Sequence, residues 1–167
     1  EVRPAMLAEP LDTGWVVASD AGSHYEVFGL GVGLDGSVTP EKSLGKDIVL
    51  GALASAGSHF LMVGFGGSCT FGIFKSDLTS IATGTLAADA ASPDARDYAA
   101  AWDGSQYFVA FLRYNAVKFT FLKPDGTLVG GVRALPDSGG GMAYGGSLAA
   151  AAASSVHLVA YTPNATA

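Results

Sequence analysis

A short unit recurs three times along the chain, and each copy has a Gly, two successive apolar strands and a turn that opens with Asp. The copies begin at Gly14, Gly57 and Gly104, and their apolar strands then start with Trp15-Val16-Val17-Ala18, Phe60-Leu61-Met62-Val63 and Tyr107-Phe108-Val109-Ala110. Their turns are Asp35-Gly36, Asp77-Leu78 and Asp125-Gly126. The copies lie roughly 40–50 residues apart, which is the period of a β-propeller blade. The repeat therefore predicts an all-β chain of propeller blades.

Each blade is expected to hold four antiparallel strands, which gives about three and a half blades in one propeller segment spanning 1–167. The predicted blades cover approximately residues 4–45, 46–90 and 94–137, with a partial blade at 144–167. In the third unit the predicted strands are Tyr98 to Trp102, Tyr107 to Arg113, Val117 to Leu122 and Thr127 to Leu135. The fourth unit has material for two strands only, Gly146 to Ala153 and Val156 to Tyr161.

Alternation and turn residues support these strands. In Val117-Lys118-Phe119-Thr120-Phe121 apolar and polar residues alternate with period two, as in a strand with one solvated face. Asp103-Gly104 and Asp125-Gly126 are hairpin signals between apolar runs. The alanine-rich stretch within 147–161 leaves a helix as the local alternative, because Ala is the best helix former.

Composition narrows the classes of partner. Hydrophobic residues make up 49% of the 167 residues and charged residues only 14%, so the chain has ample material for a core. The 23 glycines suit many tight turns. The net charge is −6 and Lys and Arg do not cluster, which argues against binding to nucleic acid or to an anionic membrane surface. No apolar run reaches the length of a membrane span.

The segments Ala101-Trp102-Asp103-Gly104-Ser105-Gln106-Tyr107-Phe108-Val109-Ala110-Phe111 and Phe121-Leu122-Lys123-Pro124-Asp125-Gly126-Thr127-Leu128-Val129-Gly130 resemble a repeat of large secreted bacterial proteins. Such repeats, of the A-W-D-G-x-x-Y kind, occur in myxobacteria and their relatives. The resemblance covers the third unit well and the first two weakly, since Trp102 aligns with Asp12 or Ser55 in those copies. It implies a β-propeller on an exported or surface protein and carries over no catalytic residues.

The first residue is Glu1 rather than Met, so we expect a processed chain from which a signal peptide is already removed, although excision from a longer precursor fits equally well. Together with the resemblance, this predicts a secreted or cell-surface bacterial protein. Cys69 is the single cysteine, so an internal disulfide is excluded, and a small buried hydrophobe is the expected role.

The residues predict neither a metal site nor a cofactor. Asp35, Asp77 and Asp125 are isolated in their turns, where a carboxylate caps its own backbone. His24, His59 and His157 occupy unlike places in the repeat, which indicates surface or turn histidines. The run at 139–141 is glycine without a following G-K-[ST], which indicates a flexible loop rather than a phosphate cradle.

Function is expected in irregular loops, because the short repeated turns act as scaffold. In propeller geometry the loops between second and third strands share one face with the loops between blades. The predicted ligand-binding residues on this loop face are Asp94, Arg96, Asp97, Arg113, Tyr114, Asp137 and Tyr144. Tyr and Arg are favoured at binding surfaces.

The partial blade would leave an open apolar edge, which invites pairing with another chain. The predicted partner edge consists of Val156, His157, Leu158, Val159 and Tyr161. The leading hypothesis is a non-catalytic module that binds a protein or glycan, with a homo-oligomer or a second chain completing the ring. Two copies would supply about seven blades. The alternatives are a purely structural subunit and a hydrolase or lyase with carboxylates such as Asp94 and Asp97 at the propeller mouth.

Overall fold

The computed structural model describes residues 6–21, 26–87, 98–113, 116–136, 148–154 and 156–161. These residues form β-strands and turns and contain no helix. The strands of the first sheet, sheet 1, are β1 (Met6–Leu11), β2 (Gly14–Ala21), β3 (Glu26–Gly33) and β4 (Lys42–Gly45). Those of sheet 2 are β5 (Val49–Ser55), β6 (His59–Phe65), β7 (Cys69–Lys75) and β8 (Ser80–Ala87).

Sheet 3 contains β9 (Tyr98–Trp102), β10 (Tyr107–Arg113), β11 (Ala116–Leu122) and β12 (Leu128–Ala134). Sheet 4 has two described strands, β13 (Leu148–Ala153) and β14 (Val156–Tyr161). All four sheets are antiparallel, and each places its strands side by side in chain order. The predicted all-β class and the four-stranded antiparallel units are thus confirmed for sheets 1 to 3. The helix considered within 147–161 is wrong, because the described residues there form a hairpin.

The sheets stack face to face in sequence order. Strand β5 lies beside β1 and β9, and β13 lies beside β9, so the first strands of successive sheets are neighbours. The described residues do not close into a ring. Three apolar clusters fill the spaces between sheets 1 and 2, sheets 2 and 3, and sheets 3 and 4.

Alternation along each second strand sends its side chains to two different clusters. In β10, Tyr107, Val109 and Phe111 pack toward sheet 2, whereas Phe108 and Ala110 pack toward sheet 4. In β6, Leu61 and Val63 pack toward sheet 3. Because sheets 2 and 3 are covered on both faces, their second strands are apolar at nearly every position rather than at every other one.

The same turn connects the third and fourth strands of sheets 1, 2 and 3. The N–H of Gly33, Lys75 and Lys123 donates to the carbonyl of Ser37, Thr79 and Thr127, respectively. Inside each turn the Asp carboxylate accepts the backbone N–H two residues later, at 2.8–2.9 Å. These hydrogen bonds, with the Ser or Thr side chains, lower the pKa of Asp35, Asp77 and Asp125. The predicted self-capping role of these three residues is confirmed.

One turn departs from the repeat at the position that follows Asp. Gly36 and Gly126 have φ values of 82° and 86°, and Leu78 takes the same left-handed region with φ 64°. Leu78 is only 3% exposed and belongs to the cluster between sheets 1 and 2. Its side chain therefore compensates for a backbone strain of about 1–2 kcal/mol by filling the core.

We expect Leu78→Gly to lower the free energy of unfolding by about 1–4 kcal/mol, because the lost burial outweighs the relieved strain. Gly36→Ala is the matched control, since a Cβ there meets nothing within 4 Å and only the backbone cost of about 1 kcal/mol applies. Denaturant unfolding of both variants measures the two effects. A gain of stability in Leu78→Gly would contradict this account.

Candidate interaction surfaces

Most of the predicted loop-face residues fall outside the described part of the chain: Asp94, Arg96, Asp97, Tyr114, Asp137 and Tyr144. Arg113 is the last residue of β10, and its backbone pairs with Ala116. The described portion of this face is in sheet 2, where Gly66 lies against the backbone carbonyl of Asp47. This contact brings the β6–β7 loop and the connection from sheet 1 to sheet 2 to the same end of the stack.

Sheet 4 presents an apolar face that no described residue covers. We call this the open face of sheet 4, and it consists of Ala149, Ala151, Ala153, Val156, Leu158 and Ala160, all exposed. Val156 is 68% exposed and Leu158 is 63% exposed. The alternate residues His157, Val159 and Tyr161 turn toward sheet 3. The predicted partner edge thus divides into a solvent-facing half and a half that holds sheet 4 on the stack.

Sheet 1 presents a second apolar face, at the other end of the stack. Its residues point away from sheet 2 and include Met6, Trp15, Val17, Phe28, Leu30 and Val32. We call this the open face of sheet 1. Trp15 is 48% exposed and Met6 is 72% exposed.

The repeat shows what these open positions look like when a neighbouring sheet is present. Trp15 has Phe60 and Tyr107 as counterparts on β6 and β10, and both of these are 0% exposed because the preceding sheet covers them. Leu158 has Leu61 and Phe108 as counterparts, which are 0% and 3% exposed beneath the following sheet. The open faces are therefore interior surfaces of the repeat that lack a neighbour among the described residues.

A buried polar clamp joins sheet 3 to sheet 4. Nε2 of His157 lies 3.0 Å from Oδ2 of Asp103, whose residue is 8% exposed. Oδ1 of Asp103 accepts the backbone N–H groups of Ser105 and Gln106 and the Ser105 hydroxyl at 2.8–2.9 Å. The imidazole also packs on Phe108 and Phe121, with ring centroids 5.0 and 4.9 Å apart.

Two opposing effects act on the Asp103 carboxyl. Burial alone would raise its pKa, but the hydrogen bonds from Gln106, Ser105 and His157 together outweigh burial and hold the pKa well below its usual range. The carboxylate is therefore ionised and fully engaged. Ser105 contacts the carboxylate rather than the imidazole, so the three residues do not form the nucleophile–base order of a catalytic triad.

Sequence reasoning missed this clamp. Asp103 was interpreted as a hairpin residue, which it is, and His157 as a surface or turn histidine, which is wrong because its ring lies against sheet 3 from within β14. The two residues are 54 positions apart, so no local pattern links them. Cys69 is buried at 1% exposure, which confirms its expected place in the core.

A second aromatic cluster lies between sheets 2 and 3. His59 and Trp102 each make a ring contact with Tyr107, with centroids 5.7 and 4.8 Å apart. Nε2 of His59 and the hydroxyl of Tyr107 are buried without a hydrogen-bond partner among the described residues. Burial lowers the pKa of His59 and raises that of Tyr107, so both groups are neutral at pH 7.

A surface depression of about 440 Å³ adjoins His59, lined also by Ser58, Lys75, Ile81, Pro124 and Asp125. Its charged residues, Lys75 and Asp125, are both exposed. Within the described ranges, no group of three His, Cys, Asp or Glu residues is arranged to hold a metal ion. That part of the chain also lacks any helix long and apolar enough to cross a bilayer.

No protein-family model matches this chain, and no curated protein is significantly similar to it. The resemblance to secreted bacterial repeats therefore stays a prediction.

Tyr107→Phe tests the unpaired hydroxyl. Removing a buried hydroxyl that lacks a partner should raise the free energy of unfolding by about 1 kcal/mol, since the desolvation cost disappears while the ring stays packed. Denaturant unfolding measures this change. Tyr107→Ala is the comparison for packing, with an expected loss of about 3–5 kcal/mol. A loss of stability in Tyr107→Phe would show that the hydroxyl has a bonding partner.

Asp103→Asn tests the clamp through pH. The folded-state pKa of Asp103 is lowered, so its ionised form contributes stability above the unfolded value of about 3.9, and that contribution is lost as pH falls below it. Between about pH 5 and 2 we expect the stability of the variant to decline less steeply than that of the unaltered chain. His157→Phe keeps the ring contacts and serves as the control for the hydrogen bond alone. Parallel curves for the unaltered chain and Asp103→Asn would exclude this assignment.

Proposed function

We propose that the chain is a non-catalytic β-propeller module that assembles with another chain to complete its ring and binds a protein or glycan on its loop face. The observation that carries the proposal is the contrast between repeat positions. Trp15 and Leu158 lie exposed at the two ends of the stack, whereas their counterparts in the middle sheets are buried. A soluble monomer rarely exposes two such apolar faces.

The partner we favour is a second copy of the chain. Inside the chain, the face of each sheet that bears Leu61 or Phe108 packs on the face of the next sheet that bears Tyr107 or His157. A second copy offers the same kind of contact. Its open face of sheet 1 is the repeat counterpart of the faces that bear Tyr107 or His157, and it can therefore pack on the open face of sheet 4. Two copies related by a twofold axis make this contact twice and place eight sheets around the ring, two of them with two described strands each, within the four to eight blades typical of propellers.

The loop face is the proposed binding surface. It comprises Arg113 at the end of β10 and six residues that lie outside the described part of the chain, in segments that the sequence predicts to be loops: Asp94, Arg96, Asp97, Tyr114, Asp137 and Tyr144. Support for this part of the proposal comes from composition, since these predicted loops concentrate Asp, Arg and Tyr, and Tyr and Arg are favoured at binding surfaces. The resemblance to secreted bacterial repeats supports a secreted or surface location. The clamp between Asp103 and His157 favours a structural rather than a catalytic role for the polar residues that the structure brings together.

Light scattering coupled to gel filtration tests the assembly. We expect the unaltered chain to have the mass of two copies, and Trp15→Asp or Leu158→Asp to have the mass of one, because each variant places a charge in the interface. Leu34→Asp is the matched control. Leu34 is 80% exposed, more than Trp15 or Leu158, but it lies in the β3–β4 connection outside both open faces. A monomeric unaltered chain, or equal effects of all three variants, would refute self-assembly.

A further inference from the structure

We propose that the depression between sheets 2 and 3 binds a neutral sugar ring of the hexopyranose kind. We call it the inter-sheet site, and its lining residues are Ser58, His59, Lys75, Ile81, Pro124 and Asp125. It lies at the end of the stack opposite the loop face, because antiparallel pairing puts the turns between first and second strands and between third and fourth strands at one end. The inter-sheet site is thus separate from the loop face and independent of self-assembly.

Two sheets hold the walls of the inter-sheet site in place. Sheet 2 supplies four residues at or beside the ends of β6, β7 and β8, and sheet 3 supplies two residues of its β11–β12 turn. That turn lies directly on β8, since a Cβ added at Gly126 would come 2.7 Å from the Cβ of Ala82. The carbonyl of Ser58 accepts the N–H of Ser76 at 3.3 Å, and the Asp125 carboxylate caps its own turn. A site that is formed in advance loses less entropy when a ligand binds.

The repeat shows which features are particular to this site. A smaller depression of about 220 Å³ occupies the equivalent place between sheets 1 and 2. Strand register identifies the two places, since the paired residues Gly14 and Gly33 there correspond to the paired residues His59 and Lys75 here. The gap between sheets therefore belongs to the repeat, whereas the imidazole and the ammonium are additions. The volume of about 440 Å³ lies within the roughly 300–1,000 Å³ of ligand clefts, and the smaller depression falls below that range.

The charges around the inter-sheet site favour a neutral ligand. Lys75 and Asp125 are both exposed and carry opposite charges. The Asp125 carboxyl is ionised at pH 7, because hydrogen bonds within its turn lower its pKa. Burial lowers the pKa of His59, which is therefore neutral at the same pH. Since the charges of the lining sum to zero, neither an anion nor a cation gains net attraction there.

The remaining chemistry of the site matches a polyhydroxylated ring. The Asp125 carboxylate accepts hydrogen bonds, the Lys75 ammonium donates them, and the Ser58 hydroxyl, 3.2 Å from Nδ1 of His59, does either. Ile81 and the half-buried Pro124 add an apolar surface for the C–H face of the sugar. A purely apolar ligand would displace water from the polar groups without replacing its hydrogen bonds, whereas the hydroxyls of a sugar replace them.

NMR titration of the full chain tests the site with three separate probes, the methyl glycosides of mannose, glucose and galactose. We expect at least one of them to shift the signals of the Ile81 methyl groups and the His59 ring in a saturable way. The methyl group of Thr39 lies in the smaller depression and should not shift. Glucosamine and glucuronic acid carry one charge on a similar ring and should bind no more tightly than the neutral glucoside. No shift with any of the three glycosides, or tighter binding of a charged ring, would overturn the proposal.

Variants with matched counterparts locate the binding. Lys75→Met and Asp125→Asn each remove one charge and should weaken binding of the responsive glycoside by about tenfold or more, because hydrogen bonds to charged groups are stronger than those between neutral groups. Asn keeps an oxygen with which to cap the turn. Lys123→Met and Asp77→Asn make the same changes at the repeat counterparts, which lie outside the lining, and should bind like the unaltered chain. Equal weakening by the site variants and their counterparts would contradict the assignment.

Arg113→Ala separates this site from the loop face. Sugar binding that is lost in Arg113→Ala and unchanged in Lys75→Met would place the sugar on the loop face, which overturns the inter-sheet site and supports that part of the proposed function. Binding that is lost in Lys75→Met and kept in Arg113→Ala supports the inter-sheet site. This second result holds whether the unaltered chain has the mass of one copy or of two, so self-assembly is judged separately.

Discussion

The structure depends on the burial of sheets from both sides. A four-stranded sheet of this repeat has apolar side chains on both faces, as in β6, where Phe60 and Met62 face sheet 1 while Leu61 and Val63 face sheet 3. Such a sheet gains little by folding alone, because the apolar side chains on both of its faces would stay in water. Each sheet therefore gains most between two neighbours, and any stack of these sheets that does not close has two unfinished ends.

Local sequence patterns predicted most of the strands and turns of the fold. Strand positions follow from period-two alternation and from the Asp-Gly turns, and the strands Tyr98–Trp102, Tyr107–Arg113 and Val156–Tyr161 have the predicted bounds. The β-bulges could not be predicted from the sequence, because they depend on how two twisted strands meet. An example is the register shift between Phe119 and Phe121. The left-handed conformation of Leu78 could not be predicted either, since it is compensated by a core contact with residues that are distant in the sequence.

The contact between Asp103 and His157 could not be predicted from the sequence for a related reason. Asp103 has a complete local explanation as a turn residue, and its Oδ1 does serve the turn. Only Oδ2 is left to bind His157, and that bond exists because sheet packing places β14 over the β9–β10 turn. A polar group within an otherwise apolar interface constrains relative position more strictly than apolar contacts do, because its energy depends on distance and direction. The clamp therefore sets how sheet 4 sits on sheet 3, and the rings of Phe108 and Phe121 pack on the same imidazole.

The open face of sheet 4 and the Asp103–His157 clamp contribute differently to the proposed assembly. The open face around Leu158 offers only shape and apolarity, so many surfaces could cover it weakly. In the proposed self-assembly, specificity therefore has to come from the complementary open face of sheet 1. The clamp acts before assembly, because it fixes how sheet 4 lies on sheet 3 and thereby the position in which the open face is presented.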